Sequence, residues 1–250
     1  MSPFLKVVFF FYSRLSSMIE DNFFKKKNHT KLLKNGFYKD KLKSKLNYNN
    51  LVEKKIFTNN FFEKLIIDKK YIKLIIDNIF LENNIKNRLY EITGFYYSVD
   101  FFLAYSTYHV DENNLTEDIY ANHWHKDKPF SKNTLKIIIP IEEILDDQGP
   151  MEILSIEESN KINFFSDPKI DDSISRHKLT GTNDDIYYFL SNVCYHRAGV
   201  PSLEKKRTQI MFQLNPSKES KYSVNLYKKQ YLLEPKFPLF NFKDVYNLIK

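Results

Sequence analysis

Hydrophobic and polar positions along the chain change their period at Gly94. Upstream, NNFFEKLIIDKKYIKLIIDNIFLENNIKNRLYEITG sets Phe61, Leu65, Ile72, Ile75, Ile76 and Ile79 at helical spacing. Asn59 or Asn60 can cap such a helix and Gly94 can stop it. Downstream, FYYSVDFFLAYSTYHV is rich in aromatic and β-branched residues, as strands are. Further strand candidates are IYANHWH, TLKIIIPI, MEILS, KINFF, DIYYFL, NVCYH and RTQIMFQLN, separated by the turn formers DDQGP, SDPKIDD and GTNDD. About eight short strands with no helix between them predict a β-sandwich or a closed jelly roll. The chain divides into a helical buttress over 1–94, a β core over 95–215 and a tail over 216–250 that packs back on the core.

Composition narrows the class. With 250 residues, 42% hydrophobic and 28% charged, the chain has the make-up of an ordinary soluble globular protein. Its net charge of +7 favours an anionic small-molecule substrate through long-range attraction. Much of the excess sits in FFKKKNHTKLLKNGFYKDKLKSKL, read as a solvated basic surface, and no interleaved aromatic–basic pattern calls for nucleic acid. The single cysteine, Cys194, excludes an intrachain disulfide and a cysteine-based zinc cluster, which fits a reducing, cytoplasmic setting. The apolar run Val7–Tyr12 is too short to span a bilayer and reads as a buried strand or helix, with a peripheral membrane contact as the lesser reading.

The chemistry concentrates in HWHKD. On an extended strand His123, His125 and Asp127 face one way, and Trp124 and Lys126 the other. A metal needs a third protein ligand, and the remaining histidines are His29, His109, His177 and His196. His196 stands out at the end of NVCYH, with Arg207 eleven positions on. Two imidazoles and a carboxylate on one face form the facial triad of non-haem Fe(II) oxygenases, which leaves sites for a bidentate oxo-acid and dioxygen. A guanidinium would anchor the far carboxylate of that oxo-acid. By strand parity Arg207, Gln209 and Met211 share one face, and Cys194 shares a face with His196.

HWHKD, QGPMEIL, TGTNDDIYYFL and CYHRAGVPSLEKKR, in that order and spacing, resemble the phytanoyl-CoA dioxygenase-like family of Fe(II)/2-oxoglutarate oxygenases between about Phe101 and Asn215. The resemblance implies a double-stranded β-helix core, of the jelly-roll or cupin-like kind. It implies Fe(II) on His125, Asp127 and His196, and 2-oxoglutarate on Arg207 with Gln209 and Lys136 nearby. Dioxygen is then the oxidant, and the reaction hydroxylates a C–H bond. Two departures stand out: MEILSIEESN replaces a common PGSH run, and Ala198 replaces a common hydroxyl residue. The alternative is a non-catalytic cupin-like metal or sugar binder using His123 and His125, but KDKPFSKN lacks the glutamate that pattern expects.

Overall fold

The change of period at Gly94 marks the last turn of a helix and the start of the longest strand. The computed structural model describes residues 3–222, apart from 26–31, 33–34, 46, 128–130, 164–167, 169 and 172. Its helices are α1 (Pro3–Phe23), α2 (Lys69–Asp77), α3 (Ile85–Thr93) and α4 (Ile156–Lys161). The strands are β1 (Phe37–Lys41), β2 (Val52–Asn59), β3 (Phe62–Ile67), β4 (Tyr96–Tyr108), β5 (Leu135–Pro140) and β6 (Glu152–Ile153), then β7 (His177–Lys178), β8 (Asp185–Phe189), β9 (His196–Arg197), β10 (Lys206–Ser217) and β11 (Lys221–Tyr222).

A large sheet runs β1-β8-β5-β10-β4-β3-β2, antiparallel throughout, with β11 added parallel to β4. A small antiparallel sheet runs β7-β6-β9. The large sheet is not closed on itself, so the expected jelly roll appears as two facing sheets rather than a sealed barrel.

Alternation along β10 explains the layering. Thr208, Ile210, Phe212 and Leu214 take one face, where the three apolar residues join Ile137 and Ile139 of β5, Ile186 of β8, and Ile72, Ile75, Ile76, Ile79 and Leu89 of the helical segments. Arg207, Gln209, Met211 and Gln213 take the other. On that face Ile138, Tyr187 and Phe189 pack against Met151, Ile153, Leu179 and Cys194 from the small-sheet side. The large sheet thus has a helix-covered apolar back and a front that is polar towards the β10 arginine.

Several expectations change. The single helical run after Asn59 is broken: 62–67 is strand β3, whose inward residues Glu63, Leu65 and Ile67 alternate with half-exposed ones. The helix begins at Lys69, capped by Asp68 accepting from Lys70 N at 3.0 Å, and neither Asn59 nor Asn60 serves. Gly94 does stop α3, at φ 78°. IYANHWH forms no strand beyond an isolated bridge at His125, and the first residue of KINFF ends α4. NVCYH is mostly turn, so His196 opens β9 rather than closing a strand. The Val7–Tyr12 run is helical but faces outward, with Val7, Val8 and Phe11 exposed. The basic stretch is partly paired: Lys39 and Lys41 of β1 reach Asp185 at 3.3 and 2.9 Å, and Lys45 reaches Asp184 at 3.3 Å. The tail from 216 opens with the end of β10 and with β11; its remainder, 223–250, lies outside the described residues.

Candidate active site

His125 and His196 are joined by their backbones before their side chains meet. His125 N donates to His196 O and His196 N to His125 O, both at 3.0 Å. Asp127 N donates to Ser191 O at 3.0 Å, which ties the loop after His125 to the turn before His196. Two short segments, far apart in sequence, are thereby held side by side.

The side chains of His125, Asp127 and His196 then converge, with one ligand atom from each lying within 4.8 Å of the others. Each imidazole Nε2 is 3.7 Å from Asp127 Oδ1. Each Nδ1 meets a carbonyl two residues back: His125 with His123 O at 2.8 Å, His196 with Cys194 O at 3.0 Å. A carbonyl only accepts, so Nδ1 carries the hydrogen and Nε2 is left as a bare lone pair. His196 Nε2 is buried without a hydrogen-bond partner. Burial, reinforced by His125, pushes the His196 pKa down to about 3, so its ring is neutral at physiological pH. Burial would raise Asp127, but Lys136 and the two histidines outweigh it and hold the carboxyl well below its usual range. The Lys136 ammonium is 2.5 Å from Asp127 Oδ2. Two imidazoles that present Nε2 and one ionised carboxylate form a donor set that fits a divalent first-row metal.

His123 stays outside this group. It is exposed and its Nε2 donates to Leu115 O at 3.1 Å, because 119–124 lacks the strand alternation that would turn it inward. His109 is engaged by Pro201 O at 2.9 Å, and the exposed ring of His177 lies 4.6 Å from that of Phe37. His29 is outside the described residues.

Arg207 is 1% exposed on the front of β10, opposite Thr107 of β4. Its Nη1 donates to Gly149 O, while Nε and Nη2 have no partner. Burial lowers its pKa, against the opposing pull of Tyr105 and Tyr120. The Gly149 carbonyl is placed by a backbone-to-backbone contact. Gly149 sits at φ +64° and an added Cβ would lie 2.4 Å from Pro201 N; one on Gly199 would lie 2.3 Å from Pro150 O. The glycine–proline turn and the segment after His196 therefore pack without side chains between them. Gln209, next on the same face, donates through Nε2 to the Tyr105 hydroxyl.

Two polar groups on this front went unread in the sequence. Gln213 Nε2 and Thr107 Oγ1 are both buried without partners. Gln213 was legible, since it shares strand parity with Arg207 and Gln209. Thr107 was not, because only the cross-strand register places it opposite Arg207.

No protein-family model matches the chain, and no curated protein sequence matches it significantly. Solved structures do. One is the non-haem, alpha-ketoglutarate-dependent epimerase SnoN of nogalamycin biosynthesis, at TM-score 0.53 and 11% identity over 75% of this chain and 81% of that one. A second is the same epimerase in complex with Fe3+, alpha-ketoglutarate and nogalamycin RO, at TM-score 0.50 and 10% identity over 75% of this chain and 81% of that one. The chain shares the fold of SnoN. At this identity the likeness to SnoN is one of architecture, and the chemistry must be argued from the residues themselves.

Proposed function

We propose that this chain is an Fe(II)- and 2-oxoglutarate-dependent oxygenase, of the phytanoyl-CoA dioxygenase-like kind, that hydroxylates a C–H bond of a small organic substrate. The observation that carries the reading is a His–Asp–His cluster packed, through Lys136 and Phe189, against the face of the large sheet that also holds a buried, under-partnered arginine. A buried donor left without an acceptor costs about 1–3 kcal/mol, and more when charged. Arg207 holds two such nitrogens in a fork that suits a carboxylate. A plain metal or sugar binder leaves that guanidinium without a purpose.

In this reading His125, Asp127 and His196 hold the iron, and Arg207 takes the far carboxylate of 2-oxoglutarate. With dioxygen, the bound metal and oxo-acid would supply oxidation of an unactivated C–H bond. The chain's own residues do the rest. The carbonyls of His123 and Cys194 hold the two rings in the tautomer that presents Nε2. Lys136 keeps Asp127 ionised and turned inward. Ile138, Phe189, Met151 and Ile153 form a dry wall between the sheets, where charge-assisted bonds gain strength. The complex of SnoN with Fe3+ and alpha-ketoglutarate supports the same pair of cofactors here.

Incubation with Fe(II), 2-oxoglutarate and labelled dioxygen against pooled small molecules tests the reading. The expected result is succinate together with one labelled oxygen in a product. Succinate no higher than that made by Asp127→Ala would reject it, and product without label would exclude hydroxylation.

A further inference from the structure

The first helix packs the wrong way round for a soluble protein. Its polar residues Ser13, Ser16, Ser17 and Glu20 share one face by helical spacing, and that face is turned to the body. Ser17 Oγ accepts from Lys132 N at 2.8 Å, and Ser13 Oγ accepts from Asn192 Nδ2 at 3.0 Å. Glu20 Oε2 accepts from Ser131 Oγ at 2.5 Å and from Asn133 Nδ2 at 3.2 Å. The opposite arc is apolar and faces out: Val7, Val8, Phe11, Leu15 and Met18 are 40–65% exposed. Six of the thirteen exposed large hydrophobic side chains among the described residues lie on α1, so the exposure is a stripe and not scatter.

Charge says what covers it. Residues 1–35, before the lysines of β1 that pair with Asp184 and Asp185, carry seven basic and two acidic side chains, +5 (7 − 2) against +7 for the whole chain. The sequence directly after α1 contributes Lys25, Lys26, Lys27, Lys31 and Lys34. Arg14, exposed beside the apolar arc, stacks on Phe10 at 4.1 Å. A second copy docked through the same stripe would set two such basic regions against each other, since a two-fold contact is made by one patch with itself. An anionic lipid surface instead meets both features at once, taking the apolar stripe into its headgroup boundary and the lysines at its phosphates. No helix among the described residues is long and apolar enough to cross a membrane, so the helix would lie on the bilayer.

We propose that α1 is a peripheral membrane anchor, binding anionic bilayers through Val7, Val8, Phe11, Leu15 and Met18, helped by the lysines that follow it in sequence. The inference is independent of the chemistry assigned to the metal cluster.

Sedimentation of the full chain with vesicles tests it. One part phosphatidylserine to two parts phosphatidylcholine should carry the protein down, and phosphatidylcholine alone should not. The double variant Phe11→Asp/Leu15→Asp should lower partitioning at least about tenfold while circular dichroism and thermal melting stay unchanged, because both side chains face out. Lys25→Glu/Lys26→Glu/Lys27→Glu should lower it by a similar factor and flatten its salt dependence. Failure to sediment, equal binding to both vesicle types, or a soluble dimer that the Phe11/Leu15 variant dissociates would each overturn the proposal, the last in favour of a second copy.

Discussion

Arg207 and Lys136 set two cations on the front of the large sheet, and Asp127, the carboxylate of the His–Asp–His cluster, pairs with Lys136. That imbalance is what a dianionic co-substrate would relieve. Removing one imbalance-free part should be just as telling: His196→Ala deletes a neutral ligand whose Nε2 has no other partner, so bound Fe(II) measured by metal analysis should fall to background. Retained stoichiometric iron would show that the cluster is not the metal site. Another buried acid sets a pH dependence. Burial pushes Glu20 from its ordinary 4.5 up to about 8. The folded state therefore binds the proton more tightly, and stability is greatest below the unfolded value and declines as pH rises towards 8. Urea denaturation between pH 5 and 8 should show a loss on the order of a few kcal/mol. Glu20→Gln, which keeps the Ser131 contact without the charge, should flatten that slope; an unchanged slope would place its origin elsewhere.

Elements differ in how plainly the sequence announces them. β4, β5, β8 and β10 were legible because each has apolar residues enough to fill one or both faces of a covered sheet. The stretch 59–67 misled because Phe61 and Leu65 fit a helical step as well as Leu65 and Ile67 fit a strand, and pairing with β4 decides. IYANHWH and NVCYH looked extended, yet the first has a single bridge, from His125 to His196, and the second is mostly turn until His196 pairs with Ile153 of β6. The His-X-Asp pair was readable from its spacing and the full set of three from the family resemblance, while the Nδ1 hydrogen bonds that set the ring tautomers were not. Gly149 is where an element's geometry can be tested alone. Gly149→Ala must adopt φ +64° and push a Cβ into Pro201, so a loss of about 1–3 kcal/mol in unfolding free energy is expected. Because its carbonyl faces Arg207, 2-oxoglutarate affinity should weaken in the same variant. Unchanged stability would mean the two turns do not need their close approach.

Across the described residues one sheet separates two environments, an apolar back packed by the helices and a front that holds Arg207 and faces the His–Asp–His cluster. The back should respond to truncation and the front should not notice. Phe212 is fully buried, 5.5 Å from the ring of Phe80 and 5.2 Å from that of Phe102. Phe212→Ala should cost about 3–5 kcal/mol in urea denaturation while Fe(II) affinity of the remaining folded protein is preserved. Arg207→Leu should leave stability and iron binding in place and act on the co-substrate, since it removes a buried charge and keeps apolar bulk. The most direct measurement is a titration of 2-oxoglutarate into the anaerobic Fe(II) protein and into Arg207→Leu, followed by the visible absorbance of the complex. A charge-assisted pair in a dry pocket predicts that the variant binds 2-oxoglutarate about a hundredfold more weakly with its iron affinity intact. Equal affinities in the two proteins, or no 2-oxoglutarate-dependent absorbance in the wild type, would contradict the assignment of this front as an oxygenase site.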